Sequence, residues 1–327
     1  MEKIENQQIN YSIIIPHYNI PDLLARCLRS IPEREDVQVI VIDDNSPGHK
    51  NYKESIPELS RKNVEFYCSE EGLGAGHARN IGLKHAKGKW LIFSDSDDFF
   101  VDNFSEILDE FVNDNHDIIF FNDSVCDSND ISRVYEYNGK GHIFKKYKAT
   151  GNDVYFRVCY TEPWGKFIKR SVVVENNIKF QETKAHNDLL FAVSVGLNSG
   201  DIRIVDRTLY WYVIREGSLG HQKGSEPLEK VFDRIIAWNT TQQFLNEKGI
   251  KSSFYLPIRP CIKVLKTSVM DYFKLLAFMR RHKMRYICAF FDSLRYCYLR
   301  KMKKDDRLRF ENMLIIEPLS ETQINSD

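Results

Sequence analysis

The chain has 327 residues, 46 basic against 46 acidic side chains, and 43% hydrophobic and 13% aromatic content. That length suits a catalytic domain of roughly 200 residues plus an appended segment, and the composition excludes a disordered chain. No apolar run approaches the roughly 18 residues of a membrane span, and the polar start MEKIENQQIN has no stretch of signal-peptide character, so a cytoplasmic protein is expected.

In chain order, YSIIIP is a β-branched apolar run that reads as a buried strand stopped at Pro16. NIPDLLARCLRSI follows with Leu23, Leu24, Cys27, Leu28 and Ile31 at helical spacing. VQVIVIDD repeats the strand and ends in the turn-rich NSPGH; YKESIPELSRK is a weaker helix interrupted by Pro57, and NVEFYCSEE is a third strand. The glycine loop GLGAG leads into the helix HARNIGLKHAKG. KWLIFSDSDD is a strand ending in acids, NFSEILDEFVNDN a helix with Asp102 or Asn103 near its cap, and HDIIFFND one more strand.

Strands alternating with helices, each strand an unbroken apolar run, predict a mainly parallel α/β sheet covered on both faces. Ligands of such sheets bind at the carboxyl ends of the strands, where Tyr18, Asp43, Asp44, Asp95 and Asp97 would gather. From about residue 226 the pattern changes to long helical stretches. The expected organisation is therefore a catalytic domain over 1–225, a basic helical region over 226–316 and a polar tail over 317–327. The seven cysteines are scattered without a CxxC pair and are expected as reduced thiols.

FSDSDDF delivers Asp95, Ser96, Asp97 and Asp98 to a strand end. Aspartates two apart on extended chain point the same way, so Asp95 and Asp97 can share one target. A magnesium or manganese ion bridging a diphosphate suits two hard carboxylates. The other reading is a cap cluster for the following helix, a role suited to Asp98. Asp44, in VIDDNS, can accept the imide N–H of uracil, or belong to a common Asp-Asn-Ser turn. The loop GLGAGHARN fails the dinucleotide fingerprint, since its sixth position is His77; it delivers Arg79, suited to a diphosphate, to ordering the neighbouring aspartates, or to the surface.

SIIIPHYN, VIDDNS, GxxxARNIGL, FSDSDD, PWGKFIKRS and a late acid before LLF occur in the order that resembles the family-two inverting glycosyltransferases of GT-A type fold, over roughly residues 11–220. The resemblance implies a Rossmann-like, mainly parallel sheet with flanking helices and a C-terminal helical segment. It implies that Pro16 and Tyr18 flank the base, that Asp44 reads the uracil edge, that Arg79 helps hold the nucleotide, that Asp95 and Ser96 lie on the ribose side, and that Asp97 meets the metal. Asp188 falls where the family places its general base. Beside it Asn187 replaces an acid common in relatives, which predicts altered acceptor choice. Trp164 and Lys166 resemble the acceptor-side wall. Arg215 and Ser218 belong to a lid whose His221 can complete the metal shell or be a bystander.

The implied activity is metal-dependent transfer of a sugar from a nucleoside-diphosphate donor, expected to be a UDP-sugar, to a glycan hydroxyl in bacterial surface-polysaccharide assembly. Residues 251–309 hold 16 basic against four acidic side chains, interleaved with aromatics. Such helices suit an anionic membrane surface, and hence a lipid-linked acceptor on the inner face of the cytoplasmic membrane, as well as they suit packing on the catalytic domain. No nucleic-acid recognition motif accompanies the charge. The competing functions are a non-catalytic nucleotide-sugar-binding protein of the same fold, with Asn187 marking decay, and a nucleotidyltransferase, for which SIIIPHYN lacks basic residues.

Overall fold

The structure, a computed structural model, describes residues 8–48, 52–135, 140–215, 227–251, 258–284 and the strand Glu317–Pro318. It divides into two compact units, one formed by residues 1–182 and 191–222, the other by 183–190 and 223–327.

The first unit is an α/β fold, a mixed, mostly parallel sheet with flanking helices. Strand β1 (Tyr11–His17) is followed by helix α1 (Pro21–Arg29), β2 (Val37–Asp43), a short α2 (Tyr52–Ser55) with a 3₁₀ turn over Pro57–Ser60, and β3 (Val64–Cys68). Then come α3 (Ala75–His85), β4 (Trp90–Phe93), β5 (Phe99–Phe100), α4 (Phe104–Phe111) and β6 (Ile118–Asp127). Two short helices, α5 (Gly141–Thr150) and α6 (Val154–Cys159), precede β7 (Lys166–Lys169) and α7 (Arg170–Glu175), and α8 (Leu189–Asn198) leads to β8 (Ile202–Ile214).

The sheet order is β3-β2-β1-β4-β7-β6-β8-β5. β1 pairs parallel with β2 and β4, β2 with β3, and β6 with β8; β7 runs antiparallel to both β4 and β6, and β5 antiparallel to β8. The mainly parallel sheet follows from fully buried runs such as Tyr11–His17 and Val37–Asp43, which have no solvent face to alternate toward. Helix α3 lies directly on it: a Cβ on Gly82 would stand 2.5 Å from Ile14 Cγ2, so only glycine allows this approach.

Three expectations change. β1 continues through Pro16 to His17; the proline lies beyond the last β1–β4 pair, Ile14 with Phe93, and still aligns with Ile42 of β2. Helix α3 begins at Ala75, inside the glycine loop. The sequence reading also passed over β7 and the 13-residue β8, which complete the sheet.

In the second unit α9 (Leu228–Glu247), α10 (Ile258–Thr267) and α11 (Val269–Arg281) pack around Val231, Ile235, Cys261, Tyr272, Leu275 and Met279. Ser268 caps α11 by accepting from the Asp271 N–H, and β9 (Ile250–Lys251) pairs antiparallel with β10 (Glu317–Pro318). The expected third helical stretch, from Met284 onward, lies almost wholly outside the described residues. Among the described residues no helix is long and apolar enough to cross a membrane, and Cys27, Cys68, Cys126, Cys159 and Cys261 are free thiols.

Candidate functional site

The carboxyl ends of β1, β2 and β4 lie side by side, and the loops that leave them hold most of the candidate residues. The ends of β2 and β1 are joined by the Asp44 N–H donating to the His17 carbonyl at 2.8 Å, and β3 joins through the Ser69 N–H on the Asp43 carbonyl.

The two aspartates of VIDDNS have separate tasks. Asp43 is fully buried: Oδ2 meets His17 Nδ1 at 2.8 Å and the Ser46 hydroxyl at 2.6 Å, while Oδ1 accepts the Ser46 N–H. His17 Nε2 accepts the Ile20 N–H, so Nδ1 carries the proton donated to Asp43. Despite its burial, the hydrogen bonds of His17 and Ser46 hold the Asp43 carboxyl below its ordinary range. This network fixes the loop Tyr18–Ile20, whose Asn19 N–H donates to the Ser46 hydroxyl. Tyr18 is thereby displayed, 57% exposed, at the edge where a base would stack.

Asp44 is 8% exposed and only half satisfied. Its Oδ2 accepts the Gly74 N–H at 2.8 Å, whereas its buried Oδ1 has no hydrogen-bond partner. Burial pushes its carboxyl up, against the opposing pull of the Gly74 and Leu73 N–H groups. A buried acceptor left unmade costs free energy until a donor arrives, so Asp44 is primed for an N–H donor.

At the end of β4 the chain does not stay extended. The Asp98 N–H donates to the Asp95 carbonyl at 3.1 Å, closing a turn that buries Ser96 and gives Asp95 and Asp97 different surroundings. Asp95 pairs with Arg79 Nη2 at 2.5 Å, and the buried guanidinium lies 5.3 Å from the Phe180 ring centroid. Arg79 thus orders an aspartate. Asp97 Oδ2 accepts from Arg215 Nε at 2.7 Å, and its carbonyl accepts from Arg26 Nη2 at 2.5 Å.

Asp98 is not a cap for α4, whose N-cap is Asn103. It is buried and takes the Val213 N–H on Oδ1 and the Tyr210 hydroxyl on Oδ2, anchoring the turn to β8. The same Tyr210 oxygen accepts the Asp95 N–H at 2.8 Å. Burial, with the charges of Asp97 and Asp95, drives the Asp98 carboxyl well above its ordinary value.

Trp164 and Lys166, expected to face an acceptor, are both buried. The indole stacks on Tyr210 and Tyr212, with centroids at 5.1 and 5.9 Å, and Lys166 Nζ donates to the carbonyls of Tyr160 and Glu162. Both side chains therefore pack inside the fold, and neither presents the face that an acceptor would meet. Ser218 and His221 lie outside the described residues. Asn187 and Asp188 belong to the other unit, where Asn187 Nδ2 donates to the Thr183 carbonyl and Asp188 directly precedes α8.

Among the described residues no group of three or more His, Cys, Asp or Glu is disposed to hold a metal alone. The donor set is compatible with one completed by a ligand: Asp97 already holds a cation, the Arg215 guanidinium, and one carboxylate with phosphate oxygens is a sufficient partner set for a small hard cation.

Residues 12–175 match the profile of glycosyl transferase family 2. The chain belongs to that family. Among curated relatives it is similar to the poly(ribitol-phosphate) beta-N-acetylglucosaminyltransferase TarS of Staphylococcus aureus, 26% identical over 221 residues that are 64% of this chain and 36% of TarS. It is 30% identical over 220 residues to the poly(ribitol-phosphate) beta-glucosyltransferase of Bacillus spizizenii, covering 63% and 32% of the two chains. It is 24% identical over 268 residues to the cholesterol galactosyltransferase of Borreliella burgdorferi, covering 73% and 68%. The chain thus spans about a third of the length of the two ribitol-phosphate enzymes. The crystal structure of S. aureus TarS 1-349 in complex with UDP-GlcNAc superposes with a TM-score of 0.57 at 19% identity, over 86% of this chain and 81% of that one. That likeness establishes the GT-A type fold expected from the sequence.

Arg26 and Tyr210, which hold the turn bearing Asp95 and Asp97, are residues that the sequence reading missed. Arg26 gave a faint signal, as a basic residue in the last turn of the helix after the first strand. Tyr210 is legible only once β8 is recognised, since it acts across 112 residues of chain.

Proposed function

We propose that the chain transfers a sugar from a UDP-sugar to a hydroxyl of a glycan, with inversion at the anomeric carbon. The observation that carries this is the buried, unpartnered Oδ1 of Asp44 at the carboxyl edge of the sheet. An ionised carboxylate accepts only, and uracil offers an imide N–H at its edge. Tyr18 supplies an exposed ring for the base, and Asp95, held by Arg79, is the neighbouring acceptor for ribose hydroxyls.

Asp97 would hold a magnesium or manganese ion at this edge. Such an ion, when bound, supplies positive charge against the leaving diphosphate. Arg215, next to Asp97, is placed to contribute the same kind of charge. Asp188 is the general base of this reading: it takes the acceptor hydroxyl proton as that oxygen forms a bond to the anomeric carbon and the bond to the diphosphate oxygen breaks. Its place ahead of a helix suits an anionic carboxylate.

The membrane part of the reading is supported by α11, where Val269, Met270 and Phe273 are exposed beside Lys274, Arg280 and Arg281. It fits a lipid-linked acceptor at an anionic surface. Release of UDP from a panel of UDP-sugars, with glycan acceptor and manganese present, tests the function in wild type and Asp188→Asn. Turnover in wild type that is lost in the variant supports it. UDP binding with no turnover on any acceptor points instead to the non-catalytic nucleotide-sugar-binding alternative.

A further inference from the structure

Glu162 lies four residues ahead of β7, and strand register fixes which end of the sheet that is. β7 runs antiparallel to β4, with Trp90 opposite Lys169 and Leu91 opposite Ile168. The start of β7 therefore lies at the carboxyl end of β4, where Asp95 emerges. Walking along this edge in the order β2, β1, β4, β7 meets the loops of Asp44, Tyr18, Asp95 and then Glu162. Three strand spacings, roughly 14 Å, separate the first from the last. A nucleotide with its base on Asp44 and its ribose near Asp95 aims its sugar at the start of β7.

The Glu162 segment is built for rigidity. Gly165 has φ +70°, and a Cβ there would stand 2.1 Å from the Tyr160 hydroxyl, so the chain can close around that ring only with glycine. Lys166 Nζ donates to the Glu162 carbonyl, and Lys140 Nζ pairs with Glu162 Oε2; both lysines are buried. Buried ammonium groups are costly unless paired, yet here two converge on one residue whose side chain stays 31% exposed. Oε2 is the buried oxygen and the one that pairs with Lys140. The carboxylate is close enough to act on Asp95 and Tyr212, so it borders the same site.

We propose that Glu162 is a specificity-determining residue of the sugar subsite: Oε1 accepts a hydroxyl or acetamido N–H of a neutral sugar and turns away donors whose sugar carries a carboxylate. The inference rests on the nucleotide reading above. Lys140 keeps the carboxylate ionised and fixes its direction, and the stacked Trp164, Tyr210 and Tyr212 back the wall it stands on.

The test is calorimetric binding of UDP, UDP-glucose and UDP-glucuronate, with manganese, to wild type, Glu162→Gln and the charge-balanced double variant Glu162→Gln/Lys140→Gln. UDP alone reports whether each variant retains the nucleotide site. Wild type should bind UDP-glucuronate about tenfold or more weakly than UDP-glucose, as like charges brought together require. The gap should narrow to about threefold or less in a variant that binds UDP normally, because the repelling charge is gone. UDP binding with no such gap in wild type, or with a gap unchanged in both variants, overturns the role of Glu162 and leaves the nucleotide reading standing. Failure of wild type to bind UDP overturns the nucleotide reading, and this inference with it.

Discussion

Arg215 Nε donates to Asp97 Oδ2 at 2.7 Å, so the carboxylate assigned to a metal is occupied by a cation of the protein's own, carried at the end of β8. In the function proposed above, Asp97 would be free to hold a metal only after Arg215 turns from the carboxylate toward phosphate. Arg215→Ala should raise manganese affinity in the absence of nucleotide by about two- to fivefold, the worth of a partly exposed ion pair. It should lower UDP affinity measured at saturating manganese. Electron paramagnetic resonance of free manganese reads the first and calorimetry the second.

Tyr210 joins two segments through one oxygen, accepting from the Asp95 N–H and donating to Asp98 Oδ2. Tyr210→Phe leaves both groups short of a partner in a buried setting, which should cost about 1–3 kcal/mol in urea unfolding. It should also weaken UDP binding, because the turn bearing Asp95 and Asp97 loses its tie to β8.

Asp123, beside the bulge where β6 pairs with β8, accepts the Lys140 N–H on Oδ1 and has no partner on its buried Oδ2. Burial pushes its carboxyl up to about 6. The folded state then holds a proton that the unfolded chain releases at lower pH, so this group's contribution to stability falls as pH rises from about 4 to about 6. Asp123→Asn should remove that fall, gaining on wild type by about 2–3 kcal/mol between pH 4 and pH 7. Unfolding curves of the two proteins at both pH values check it.

Gly165→Ala places a methyl group against the Tyr160 hydroxyl in a backbone conformation with positive φ. A loss of about 1–3 kcal/mol is expected. Gly151→Ala, also at positive φ but with open space around it, should cost less, about 1 kcal/mol. Thermal unfolding of the pair separates steric from backbone cost.

The first half of the fold was legible because β1, β2 and β4 are buried along their whole length and so are written as nearly continuous apolar runs, while the half-buried β3 still carries β-branched and aromatic residues. β7 is only four residues long, and β8 mixes buried positions with the exposed Arg203 and Asp206 and the half-buried Arg207, so neither reads as such a run. The acidic motifs located the site because strand ends point where the sheet says they must. What they do not encode is partner choice. Asp43 and Asp44 are adjacent and chemically identical, yet one is saturated by His17 and Ser46 and the other keeps a bare oxygen. Asp98 looked like a helix cap because its partners, Tyr210 and Val213, are more than 110 residues away in sequence. Trp164 looked available for a sugar because nothing nearby in the chain announces Tyr210 and Tyr212 against its face.

The central claim is that Asp44 reads a base through an N–H, and calorimetry of UDP and CDP with manganese tests it most directly, in wild type and Asp44→Ala. Cytosine presents a ring acceptor where uracil presents its imide donor. Wild type should prefer UDP by about tenfold or more, the worth of a hydrogen bond to a charged group, and Asp44→Ala should lose that preference by weakening UDP alone. Equal binding of UDP and CDP to wild type, or UDP binding undiminished in Asp44→Ala, would contradict the account.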